Sequence, residues 1–187
     1  TDELPQAAKI EEPVSVQVFR TKGATLTVSS EEKKEGITLE VDKPIVPNPL
    51  KLIYNPDGIE INHNNKMTAK FLTSNQTIEL KNGDNTTVTL TADTIELKEN
   101  SIKISLTNNS ITLDCSPATV KLTTSSGVEV ANSATKAAWK ASALEMESPP
   151  AAVKLGPAGV EANSGGLGSI NVSLSGVNVN NGALEVT

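Results

Sequence analysis

Few side chains in this sequence are equipped for chemistry. His63 is the only histidine, Cys115 the only cysteine and Trp139 the only tryptophan in 187 residues. A hydrolytic triad needs a base of the histidine type, and His63 is the single candidate. No glycine-rich phosphate loop leads into a helix. His63 lies in phase with Ile59 and Ile61, so three copies meeting on an axis would bring three imidazoles together, a metal-binding arrangement. The simpler reading, carried forward here, is a solvated histidine in the polar loop Asn62–Lys66, with no metal and no cofactor. Cys115 continues the phase of Ile111 and Leu113 and reads as a small core residue. Thr87, Thr89 and Thr91 form a threonine row of the kind that could order ice, but the row occurs once and gives way to Glu and Lys. The carboxylates of Glu96, Glu129, Glu145, Glu147 and Glu161 fall between apolar positions and are expected to point outward with Lys103, Lys121 and Lys154. Their expected work is solvation, and no enzyme is predicted.

The elements that carry these residues follow one rhythm. An apolar-x-apolar unit begins at Val88, Ile95, Ile102, Ile111, Val120 and Val128, and returns from Ala137 through Leu144, Val153, Val160, Ile170 and Val177 to Leu184. Steps between units run from seven to ten residues and average eight. Alternation within a unit is the period of a strand with one dry face. The connectors, such as Asn108-Asn109-Ser110 and Pro157-Ala158-Gly159, are too short for helices and rich in turn formers. Ala134–Met146 is alanine-rich and could pass for a helix, yet the rhythm continues on both sides, so strands are predicted there. Each unit is one short strand and one corner.

Two aliphatic side chains per eight ordered residues are too few to build a core from one copy, given what ordering a backbone costs in entropy. Aromatics make up 2% of the chain. The dry faces therefore need either a single-chain solenoid or several copies that pool them. Solenoids of this kind tend to use hexapeptide or aspartate-rich nonapeptide repeats, and neither is present. The fold expected is all-β: an intertwined homotrimeric triple-stranded β-helix, or β-prism, of roughly eight-residue repeats, its layers stacking to ~50–60 Å.

The run NTTVTLTADTIELKENSIKISLTNNSITLDCSPATVKLTTSSGVEVANS at 85–133 and the ending INVSLSGVNVNNGALEVT at 170–187 resemble the C-terminal β-helix of VgrG-type spikes of type VI secretion and related contractile injection systems, which is similar to the needle of T4-like phage tail spikes. The resemblance covers about 76–187 and rests on repeat rhythm and that ending. It implies a homotrimeric needle whose base joins hub or tube proteins and whose blunt end carries a PAAR-repeat tip protein. Family members hold axial metal with a His-x-His pair near the tip; here residue 65 is Asn. Hub domains have no room in this chain, which reads as a fragment or a small spike.

The formal charge of −6 argues against nucleic acid, whose phosphates call for a basic footprint. No apolar run reaches the length of a membrane span. Thr1–Lys9 shows no basic segment followed by an apolar stretch, so no secretory leader is expected, and a lone cysteine suits assembly in a reducing cytoplasm. Residues 1–13 read as a flexible lead and 14–75 as an irregular β-rich collar or lead-in, with Val14-Val16-Val18 and Ala24-Leu26-Val28 as a hairpin. Residues 76–187 are the needle. Pro44, Pro47 and Pro49 mark the strongest candidate boundary.

The function expected is mechanical: a spike assembled in the bacterial cytoplasm, or in a phage particle, and delivered through a target membrane. The last units carry almost no charge except Glu185, and an apolar end calls for a partner. The resemblance places a PAAR-type tip there, with Gly182, Ala183, Leu184, Glu185 and Val186 in contact. The plain alternative is that these residues only cap the trimer. A trimeric fibre or adhesin stalk binding a receptor is the second reading, and such a stalk is expected to end in a globular, aromatic-bearing domain.

Overall fold

A computed structural model describes residues 15–166, 168–180 and 184–186. Every regular element among them is a strand or an isolated turn of backbone; the expected all-β class holds. The chain divides into two units, residues 1–84 and 85–187.

The first unit holds β1 (Val16–Thr21), β2 (Ala24–Ser29), β3 (Gly36–Val41), β4 (Leu50–Asn55), β5 (Gly58–His63), β6 (Met67–Leu72) and β7 (Thr77–Asn82). Each pairs antiparallel with the next. This is a regular meander rather than the irregular collar expected, and it runs past residue 75. The proline-rich stretch is no boundary either. Val41 and Leu50 are paired across it, so the prolines occupy a loop, where their missing N–H groups cost no ladder bond.

The second unit continues with β8 (Thr86–Leu90), β9 (Thr94–Glu99), β10 (Ile102–Thr107), β11 (Ser110–Cys115), β12 (Ala118–Thr123), β13 (Gly127–Asn132), β14 (Thr135–Trp139), β15 (Leu144–Ser148), β16 (Ala151–Gly156), β17 (Gly159–Ser164), β18 (Ser169–Ser173), β19 (Gly176–Val179) and β20 (Leu184–Val186). Thirteen strands again pair in chain order, each antiparallel to its neighbour. The alanine-rich stretch is two strands, as its rhythm indicates.

An intertwined course sends successive units of one chain to different faces, so that ladder partners come from other copies. Here each interior strand takes its partners from the strands before and after it in the same chain. The reason is local. In the second unit connections of two to four residues close hairpins, and antiparallel pairing is what so short a turn permits. Thr91, Thr107 and Thr123 recur every sixteen residues, and each does the same job at one edge of the sheet. The Thr91 hydroxyl accepts the N–H of Thr94 at 3.1 Å, Thr107 that of Ser110 at 3.1 Å, and Thr123 that of Ser126 at 3.0 Å. The structural repeat is thus a sixteen-residue hairpin of two eight-residue units.

Two glycines are dictated by close approach. Gly127 and Gly159 open β13 and β17 with φ of 85° and 133°. A Cβ would lie 2.0 Å from the Trp139 carbonyl oxygen at the first and 1.8 Å from that of Val172 at the second. Only glycine fits both the angle and the space.

Candidate functional site: an unpartnered apolar face

Strand alternation and register put the aliphatic residues of the second unit in two unbroken rows on one face. One row steps from Val88 through Leu97, Ile104, Leu113, Val120 and Val130. It goes on through Ala137, Met146, Val153, Ala162, Ile170 and Val179. The other steps from Leu90 through Ile95, Leu106, Ile111, Leu122 and Val128 to Trp139, then through Leu144, Leu155, Val160, Val172 and Val177.

None of the described residues covers these rows. Among the described residues Ala138 is the one buried apolar side chain, and Leu97, Ile111, Ile170 and Trp139 are all more than 40% exposed. The chain exposes 13895 Å², whereas a compact monomer of its mass exposes about 8,600 Å². A sheet with one dry face and no second layer is not an independently stable arrangement.

The opposite face is polar and internally matched. Lys103 pairs with Glu96 at 3.0 Å. Lys136 sits between Glu129 at 3.7 Å and Glu147 at 3.8 Å, while Glu145 takes Lys140 and, at 3.7 Å, Lys154. Ala138 lies on this face, opposite Glu129 and Glu145 in register, and is 2% exposed. The hydrogen bond from Lys140 is the main reason the Glu145 carboxyl lies below its ordinary pKa; burial opposes it, and the charges of Lys140, Lys154 and Lys136 add to it. The same bond raises Lys140. In the first unit burial alone would raise Glu60, but hydrogen bonds from Asn62 and Lys70, with the charges of Lys70 and Lys51, hold it below. The outward-facing carboxylates are therefore cross-strand partners of lysines as well as solvating groups.

The first unit has a wider apolar face. Leu26, Leu39, Leu52, Ile61, Ala69 and Leu80 form its middle row. Val28, Ile37, Tyr54, Ile59, Phe71 and Ile78 run beside it. Alternation from Val16 and Val18 suggests that Val18 joins this face, but the register sets Phe19 opposite Leu26 and Val18 opposite Thr27. Phe19 takes the apolar side. Val14 lies outside the described residues.

His63 is the last residue of β5, not a loop residue, and stands on the apolar face between Leu50 and Met67. No group of three or more metal-ligating side chains occurs among the described residues. Cys115 ends β11 and is exposed, opposite Ala118; within one chain it is not a core residue. Thr87 and Thr89 face the polar side with Lys98 and Glu96 opposite, and Thr91 is a turn residue. Of the five residues expected to hold a tip protein, Gly182 and Ala183 lie outside the described residues. Leu184, Glu185 and Val186 form β20, in register with Val179, Asn178 and Val177.

A feature that period alone does not reveal is a trough of about 770 Å³ on the apolar face. It is lined by Val130, Ala137, Met146, Val153, Ala162 and Ile170 along the row and by small residues such as Ala151 and Ser164 toward one edge. Two alanines in a row otherwise built of larger residues are its only trace in the sequence. No helix is long and apolar enough to cross a membrane among the described residues. Comparison of the chain with protein-family models, with curated proteins and with solved structures finds no match.

Proposed function

We propose that this chain is the structural spike of a contractile injection machine, of the type VI secretion or phage-tail kind, working as a homotrimer. Three copies pool their apolar faces around a common axis as a three-sided β-prism with the charged faces outward. Hub or tube proteins join the N-terminal side, and a PAAR-type tip or effector docks on the C-terminal end. The trimer is assembled in the bacterial cytoplasm or in a phage particle and passes through a target membrane on delivery.

The observation that carries this reading is the unbroken apolar face across the twelve strands β8–β19, backed by cross-strand ion pairs and left uncovered by the described residues. Ladder bonds run along the stack of strands, so an axial load is shared by many strands at once, which suits a piercing body. The repeat rhythm and ending that resemble VgrG-type spikes supply the choice of machine.

The test is sedimentation equilibrium of the purified chain, followed by binding of a PAAR-repeat protein with and without residues 182–186. A mass of three chains and tip binding that is lost on truncation are expected. A folded monomer overturns the pooled-face argument. A trimer that ignores the tip protein, or holds it equally well without those residues, leaves a stalk and removes the spike.

A further inference from the structure

The chain has three sulfur-bearing side chains, Met67, Cys115 and Met146, and each stands on the apolar face of its own unit. Met67 is in phase with Ala69 and Phe71 on β6, Cys115 with Ile111 and Leu113 on β11, and Met146 with Leu144 on β15. In a single copy Met67 is 50% and Met146 45% exposed, so an oxidant reaches both before assembly. Their surroundings differ. Met67 lies opposite His63 and Asn82, and both of those side chains can donate a hydrogen bond. Met146 lies opposite Ala137 and Val153, whose side chains donate none, and it forms part of the wall of the trough.

We propose that Met146 is an oxidation site that decides whether copies can assemble. This rests on the reading that copies pool their apolar faces around an axis. The oxidant is a peroxide. A lone pair of the thioether sulfur attacks one oxygen of hydrogen peroxide, an S–O bond forms as the O–O bond breaks, and the other oxygen leaves as water after proton transfer. The sulfur gives up two electrons and the peroxide takes them. The product is a sulfoxide, a polar group in place of a flexible apolar one. On a free copy its oxygen is solvated. On a closed face it gives up that water and finds no donor across the register, and burying an acceptor unpaired opposes closure. At Met67 the imidazole and the amide offer such an oxygen a partner, so oxidation there has the smaller effect. Closure in turn keeps peroxide from the Met146 sulfur. A chain assembled in the reducing cytoplasm proposed above is thereby protected before delivery outside it.

The test uses the full chain and hydrogen peroxide. The chain is unfolded in denaturant, oxidised, treated with a thiol that returns Cys115 from a sulfenic acid or disulfide and leaves the sulfoxides in place, and refolded. Peptide mass spectrometry reads oxidation at each methionine, and sedimentation reads the mass. The untreated parent is expected to be a trimer, and the oxidised parent to need a several-fold higher concentration to form one. Met146→Leu should assemble after the same treatment, whereas Met67→Leu should remain as sensitive as the parent. In the trimer formed before treatment, Met146 should oxidise several-fold more slowly than in the unfolded chain. If Met146→Leu fails to assemble untreated, enzymatic reduction of the parent's sulfoxides should restore the trimer. An oxidised parent that assembles like the untreated one overturns the Met146 assignment and leaves the trimer standing. So does a Met146→Leu chain that assembles untreated but not after peroxide, a Met67→Leu chain that escapes the treatment, a Met146 that oxidises freely in the trimer, or a trimer that sulfoxide reduction does not restore. An untreated chain that is a folded monomer removes the pooled face and this site together.

Discussion

The two units are built by one rule and finish with different faces. Both are meanders in which every strand pairs with its sequence neighbours. In the first, the apolar stripe is three residues wide: Val41, Leu50 and Met67 extend it at one edge, and Phe19, Tyr54 and Phe71 add aromatic bulk. In the second it narrows toward two, because the third position is polar in many strands, at Thr86, Glu99, Asn132, Thr135, Ser148 and Ser164, while Ile102, Cys115, Ala118 and Ala151 keep it apolar in others. Strand length is nearly constant between them. Stripe width is therefore decided by side-chain choice at the strand ends, and it sets how much apolar surface each unit offers a partner. The narrow stripe with polar margins is suited to a close-packed seam between identical copies, and the broad one to a wider interface.

The sharpest way to break this comparison is one charge in the middle of each stripe. Ile104→Glu, flanked by Leu97 and Leu113, should weaken association by about 3–5 kcal/mol per copy, the cost of an uncompensated buried charge, read as loss of the trimeric mass. Leu52→Glu, between Leu39 and Ile61, makes the same test of the first unit. If either face is free surface, its variant should sediment as the parent does. The next effect in size is confined to one hairpin. Gly159→Ala sets a Cβ against the Val172 carbonyl at positive φ and should cost about 1–3 kcal/mol, seen as early hydrogen exchange in β17 and β18 with β1–β7 unchanged.

A smaller effect separates the two polar faces by pH. Glu145 titrates below its ordinary value when folded, so its stabilisation is present above the unfolded pKa and is lost as pH falls through the folded one. Melting temperature followed from neutral pH down through the carboxylate range should fall less steeply in Glu145→Gln than in the parent. Parallel curves would show that the Lys140–Glu145 contact does not stabilise the fold. The smallest effect is expected for Lys103→Ala, which removes a solvent-facing pair with Glu96 and should change stability by less than about 1 kcal/mol, still less at high salt. A larger loss would mean that the polar face carries structural weight of its own.

Much of the architecture was legible in the residues. Alternation around Ile95-Glu96-Leu97 or Val153-Lys154-Leu155 can only be a strand with one dry face, since a helix would scatter those aliphatics around its surface. The alanine-rich stretch kept its strands for the same reason. The deficit of core residues was also visible, being a count of large side chains against chain length. The site was less legible. Cys115 and His63 were assigned to core and loop by phase and composition, yet both end strands, where phase says which face a side chain takes and not whether anything covers it.

What the amino-acid order settled by itself is the class of structure, the strand positions and the division of each strand into a dry and a wet side, because these depend on neighbours within a few residues. What only the tertiary structure decided is which strands are partners. Alternation has the same period whether a strand bonds to its own chain or to another copy, so the choice of in-chain hairpins came from turn closure at sites such as Thr91, Thr107 and Thr123. The same is true of Phe19 over Val18 and of the cross-strand pairing of Lys136 with Glu147. Each is a relation between residues that register brings together, and register is a property of the paired strands, not of either one alone.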